Sequence, residues 1–573
     1  MNRKGLLGDL AQSLLADTME EKEKDLQRGD KVFQKFRNKV IRRITIQPVG
    51  FGVSIQDTSR KMKNKLTHLA NQVHRTTRPF VAKNQLFFHE NERLSPFLLA
   101  NNERYLRDLP FLQDARIVVK PVKGKPDSVD VTIFVKDVLS LGGSIDIKSH
   151  QSAILEIRED NFLGYGDRLS IQTMYDRPRE RSFGYGLSYL KRNILGTFID
   201  ANLGYLNFNR AFNSGKREEN VVFMQLLRPL INPNARWTYA LITEWHSTSN
   251  MFSLDSVYEN DLRYQYRIHD GWVGWNPSYK LTGRDNEASA FRYLIALRMM
   301  DQQFTEKPLQ YKNEYNYAFA NLYAMLGSLS IYRQNFYKTQ YIYGFGRKED
   351  LPQGVDGTIT GGFTKKDTTT RPYVGLNFNL NYVTNHERFI NYTFAFASSF
   401  DKGKSEDLTL LGNIEYFGKL HHWKSKWKQR TFLTAHFTRQ FNSRLDEPLF
   451  LESRYGIQGY DNLYLPGHIR ATLKAESVFY TPNTLLFFKF APFIFGSTTY
   501  FKEQDNGERL IPVIGGGLRI RNESLIFGTI EIKGSYFTEK DRMNNRFVFQ
   551  LRSNIRYKYN QNFIRRPEFI QLN

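Results

Sequence analysis

The chain has 573 residues, no cysteine, a net charge of +23 and 14% aromatic residues. Its longest apolar stretch, 485–496, is interrupted by Lys489 and Pro492, which excludes helical membrane spans. Without cysteine there is no disulfide and no thiolate metal site, and the excess of base suits loops and a wet interior, or attraction to anionic lipid or an acidic client.

Residues 1–39 form a helical segment. Leu6, Leu7, Leu10, Leu14 and Leu15 make a rough stripe that fits either a docking helix or a solvated one. Asp9 interrupts it, and Asp17, Glu20 and Glu21 follow, so it does not read as a signal peptide. Residues 40–138 read as a small α+β domain. VIRRITI (40–46) alternates like a strand, and 50–74 is a polar, basic insertion. Helices are expected over 76–88 and 95–110, the second capped by Ser95 with Pro96 at its first position. Strands follow over 114–122 and 129–138.

From residue 139 the hydrophobic period becomes two and stays two to the end of the chain. Val374, Leu376, Phe378, Leu380 and Tyr382 alternate with Gly375, Asn377, Asn379 and Asn381. Over 389–400, Tyr392, Phe394 and Phe396 alternate with Asn391, Thr393 and Ala395. One face suits lipid and the other water, which predicts a transmembrane antiparallel β-barrel over 139–573. The alternation yields about twenty strands. The connections alternate between short turns and longer polar loops, such as 208–218, 304–318 and 443–466. His421 and His422 stand beside Trp423, Trp427 and several lysines, a composition that suits an interfacial anchor better than a metal site.

No nucleophile elbow, zinc-helix motif or phosphate loop is present. The chain therefore reads as a non-enzyme, with no catalytic residue, metal or cofactor, and no nucleic-acid partner.

Several motifs together carry a resemblance. Residues 455–480 pair a Gly-rich loop with a strand bearing Glu476. Asn161, Phe162, Gly164 and Gly166 form a compact turn between two strands. Glu349 to Gly354 reads as a second turn. The order β-α-α-β-β stands directly before the barrel. In these respects the chain resembles the BamA/TamA superfamily of outer-membrane barrels that insert or translocate proteins. The resemblance implies that 40–138 is a POTRA domain in the periplasm, docking client or partner proteins. It implies a barrel of sixteen strands in contact with outer-membrane lipids, lipopolysaccharide included. It implies a seam between the first strand, with Gly142 and Gly143, and the last, 545–558, with Arg552 and Arg556.

It further implies that loop 443–466 folds into the lumen beside Glu476. Gly459 and Tyr460 match the family's loop motif, but Gln458 stands where that motif has arginine. Phe495 likewise stands where a second acidic residue is expected. The loop is then held by neutral hydrogen bonds and Tyr460, or Arg454 or Arg470 substitutes for the missing charge. A passive channel and a structural scaffold are the other functions this sequence fits.

Overall fold

The computed structural model of the chain describes residues 29–49, 75–149, 151–281, 289–342, 344–346, 349–384, 388–423, 426–443, 448–457, 465–485, 488–504, 507–522, 529–538, 546–555 and 566–570. The stripe at 6–15, the insertion at 50–74, and Gln458, Gly459, Tyr460 and Arg556 lie outside them.

The N-terminal domain is built from β1 (Val40–Val49), α1 (Pro79–Asn84), α2 (Pro96–Asp108), β2 (Leu112–Val122) and β3 (Lys125–Asp137). Its sheet has the order β1-β3-β2, with β1 parallel and β2 antiparallel to the central strand. β3 alternates strictly, burying Val129, Val131, Ile133 and Val135 under Leu99 and Leu106 of α2. The Ser95 hydroxyl accepts the Leu98 amide at 3.1 Å, satisfying one of the donors that a helix start leaves free. α1 is shorter than the expected 76–88. Pro79 opens it and Gln85 closes it, the Gln85 carbonyl accepting the Asn102 side chain at 2.9 Å.

Twenty antiparallel strands follow among the described residues, the first Leu141–Ser149 and the last Phe547–Ile555, and they close on themselves. Two-residue ladders at 421–422, 449–450 and 484–485 extend three of the hairpins. The count follows the alternation and not the sixteen implied by the resemblance.

The expected turn at 349–354 is instead the start of strand Glu349–Lys366. Pro and Gly suggest a turn locally, but the stretch pairs with 334–339 across the sheet. Pro352 faces Phe336, and Gly354 lies at φ +150°, where a Cβ would strike the Arg333 carbonyl at 1.8 Å. Tertiary pairing overrides the local signal.

The two faces of the wall differ as the alternation requires. Leu376, Phe378, Phe394 and Phe549 are exposed outward, and comparable side chains occur around the circumference, from Ile147, Ile171 and Leu203 through Ile295 and Ile359 to Leu473 and Ile514. A continuous apolar belt of this size is far larger than a water-facing surface carries, and it fits the hydrocarbon of a bilayer. Asn377, Asn379 and Asn381 line the interior; Asn379 donates to Asn377 and Asp356 and accepts from Thr393, and Asn381 accepts from Asn391.

Candidate functional site

Three features converge on the barrel: the seam, the filled lumen and the domain docked at one end.

Among the described residues the first and last strands pair at Ile147 with Leu551 and at Asp146 with Arg552. Gly142 and Gly143 pair with Arg158 and Ile157 of the second strand and sit nearer the domain than the two seam pairs. Arg552 stands opposite Asp146 on one side and Glu531 on the other. Direct partners in an antiparallel ladder share a face, so these charges form one row. Ile147 and Leu551 share the opposite, lipid-side face, where Ile147 is exposed.

Among the described residues, Arg454 to Ile457 of the long loop and residues 566–570 lie inside the lumen, where they and the wall asparagines bound a cavity of about 570 Å³. In the described part of the loop, Leu449, Leu451, Ile457 and Leu465 are buried with Val478, Phe493, Phe501, Val513 and Phe537 of the wall. The inner wall over strands 466–537 is thus unusually apolar at those positions, and the loop covers it.

Glu476 lies inward beside this cluster. Its carboxylate takes Arg519 at 2.7 Å and Lys474 at 3.1 Å, and Arg519 also holds Glu531 at 2.7 Å. The Arg519 guanidinium lies 4.3 Å from the Phe493 ring centre, and the Lys533 ammonium 4.5 Å from that of Phe495. Phe495 is the direct cross-strand partner of Glu476, so an aromatic face lies where the resemblance expects an acid. Arg454 bonds the Tyr455 hydroxyl, and Arg470 donates to the Phe450 carbonyl of the loop. The cations on Glu476 are therefore both on the wall, Lys474 of its own strand and Arg519 two strands on. Arg519 carried no motif, and only the inward parity of its strand marked it.

The turn Asn161 to Gly166 is the seat of the N-terminal domain. The Asn161 side chain accepts the Gly166 amide at 2.8 Å and donates to the Arg75 carbonyl and the Thr77 hydroxyl, each at 3.1 Å. Gly164 and Gly166 lie at φ +80° and +75°. A Cβ on Gly164 would meet the Thr76 carbonyl at 2.9 Å, and one on Gly166 the Phe111 ring at 2.9 Å. Both glycines are required twice over, by conformation and by the close approach of the domain. Phe162 ends the second barrel strand, pairing with Asp167.

A second anchor lies across the barrel mouth. Arg107 of α2 makes a two-pronged bond to Asp350, at 2.7 and 2.8 Å, and holds Glu103 at 2.8 Å. Lys338 reaches Glu103 at 2.6 Å. Arg107, Glu103 and Asp350 side chains are only 4–6% exposed. Burial alone would raise the Glu103 pKa, but Lys338 and Arg107 with the Ile117 amide pull it down to about 2. A third contact joins Phe87 and Tyr105 to Phe198, with ring centres 5.7 and 6.2 Å apart.

Trp423 of the expected interfacial anchor is exposed and edges onto Phe479 at 5.7 Å.

A closed barrel with a lipid-facing exterior and an α+β domain fixed to its turns defines a transmembrane β-barrel of the multidomain kind. No protein-family model and no curated protein matches the sequence. Among solved structures the chain is similar to BamA from Haemophilus ducreyi lacking POTRA domains 1–3, at 11% identity over 90% of this chain and 84% of that one, with a TM-score of 0.34. CdiB from Acinetobacter baumannii is similar at 11% identity, 96% coverage of both chains and a TM-score of 0.38. CdiB from Escherichia coli is similar at 9% identity, covering 90% of this chain and 76% of that one, with a TM-score of 0.43.

Proposed function

We propose that this chain is a bacterial outer-membrane barrel that assists the insertion or translocation of proteins (or lipids), with its N-terminal domain in the periplasm receiving the client. The observation that carries this reading is the α+β domain fixed by buried contacts to a closed barrel whose first and last strands meet at a junction. A barrel abolishes sheet edges by closing, so that junction is where an edge can be offered to a client. An extended client segment adds there as a strand, its backbone hydrogen bonds replacing those of the seam. No bond in the client is made or broken, so no catalytic group is needed. The loop and the 566–570 segment inside the lumen weigh against a passive channel.

The native chain has no cysteine, so one engineered pair tests the seam cleanly. Ile147→Cys with Leu551→Cys places two thiols at directly opposite positions, within the reach of a disulfide. Cells carrying the oxidised pair as their sole copy should lose barrel or surface proteins from the outer membrane, and reduction should restore them. An unchanged outer-membrane proteome with complete cross-linking would refute the seam mechanism. A large, steady conductance of the cross-linked protein in planar bilayers would then favour the channel.

A further inference from the structure

Beyond the last strand, residues 566–570 return into the barrel and dock on the wall opposite the seam. Asp270 and Arg298 there form a two-pronged ion pair, both bonds 2.8 Å, and both residues are more than nine-tenths buried. Neither is spent on the wall alone. The second carboxylate oxygen of Asp270 also accepts Arg566 at 2.8 Å. The remaining arm of Arg298 donates to the Pro567 carbonyl at 3.0 Å. Phe569 meets Tyr373 edge to face, with ring centres 4.9 Å apart, and packs with Ile570 on Leu326, Tyr373 and Ala397. The Ile570 amide donates to the Tyr373 hydroxyl at 3.1 Å. The wall thus reads one cationic side chain, one backbone carbonyl, one aromatic side chain and one backbone amide.

We propose that this stretch of wall is a peptide-binding site, occupied in cis by residues 566–570, that takes an extended client segment with an arginine three places before a large aromatic residue. Two features favour recognition over simple packing. The contacts to backbone carbonyl and amide bind any extended chain, while the arginine and aromatic contacts select its sequence, as peptide grooves do. The cavity that Ile570 borders is also lined by the polar side chains of Asn377, Asn379 and Asn413, which suit the backbone of an extended chain. The proposal names client chemistry for the conduit described above and takes its biological meaning from that reading. The binding site itself rests on the contacts alone.

The test uses the full chain in detergent and a fluorescent peptide with the sequence of residues 566–573. The variant Arg566→Gln/Phe569→Ala weakens the occupant without touching the wall. It should bind the peptide at least about tenfold more tightly than the native chain, whose site is already filled. Adding Asp270→Asn, or Tyr373→Phe where the first variant fails to fold, should remove most of that gain, and a scrambled peptide should not bind. Equal peptide affinity for the native and freed chains, or binding indifferent to both wall substitutions, would overturn the proposal. Peptide binding that persists in a chain whose seam cross-link changes nothing in the outer membrane would leave the site standing and sink the conduit.

Discussion

Removing Asp350 should release the N-terminal domain from the barrel. The Asp350→Ala substitution deletes both close bonds to Arg107 and leaves a guanidinium only 4% exposed. Breaking a buried ion pair from one side costs about 3–5 kcal/mol, mostly because the surviving charge stays buried. Arg107 keeps Glu103 at 2.8 Å, so the lower end applies, about 3 kcal/mol, or roughly a hundredfold shift in docking. All six tryptophans lie between Trp237 and Trp427, so tryptophan fluorescence follows the barrel only. Docking is instead read from hydrogen exchange at the Arg78 amide, which donates across the junction to the Gly164 carbonyl at 3.1 Å. It should exchange about a hundredfold faster while the fluorescence transition in urea stays put. The double variant Arg107→Met/Asp350→Leu should recover most of the loss, since neutral side chains of similar size carry no desolvation penalty. If exchange at the Arg78 amide is unchanged, or the double variant is as damaged as the single one, the buried pair is not what holds the domain.

Three further expectations follow from the same geometry. Phe394→Arg, at the middle of an outward strand face, should cost about 2–4 kcal/mol in refolding into vesicles, whereas Asn379→Arg, facing the lumen beside Asp356, should cost far less; equal costs would mean the faces are misassigned. Gly166→Ala should strain the turn by about 1–2 kcal/mol from its positive φ alone and push on Phe111, accelerating exchange at Arg78, while Leu163→Ala in the same turn should not. Glu103 has its folded pKa at about 2, below the ordinary value of 4.5. Its contribution is therefore complete above about pH 4.5 and lost as pH falls toward 2; proteolytic release of the domain should rise over that window in the native chain and rise less in Glu103→Gln, and a rise above pH 5 would contradict the assignment.

What was legible in the sequence was whatever repeats or is local. Alternation over Val374 to Tyr382 depends on each residue and its second neighbour, so the wall faces and the strand number emerged without tertiary information. Ser95 and Pro96 announced α2 for the same reason. The strand at 349–354 was missed because Pro352 and Gly354 signal a turn, and only pairing with 334–339 reveals otherwise. Arg107 and Asp350 lie 243 positions apart, and Arg566 and Asp270 lie 296 apart. No pattern on the chain links such residues, since any arginine has many candidate acids. The compensation at Glu476 was invisible for a related reason. The loop motif directs attention to residue 458, whereas the cations come from Lys474 and Arg519 on wall strands with ordinary composition.

The placement of these long-range contacts bears on where the barrel could open. The domain grips the turn at 161–166, the turn around Phe198 and the wall at Lys338 and Asp350. Residues 566–570 tie together strands 265–275, 292–306, 322–339, 369–383 and 389–401. The loop covers strands 466–480 through 529–537. Each insert staples neighbouring strands on its own arc of the wall. Among the described residues the last strand contributes only Val548 to the margin of any of these clusters, and the first strand contributes none. Among the described residues none of these inserts bridges 141–149 and 547–555, whereas each bridges neighbouring strands on its own arc. Each broken pair exposes backbone groups that lipid cannot satisfy, at a cost of several kcal/mol per group. A partner strand that satisfies those groups is therefore what would make opening between the first and last strands accessible.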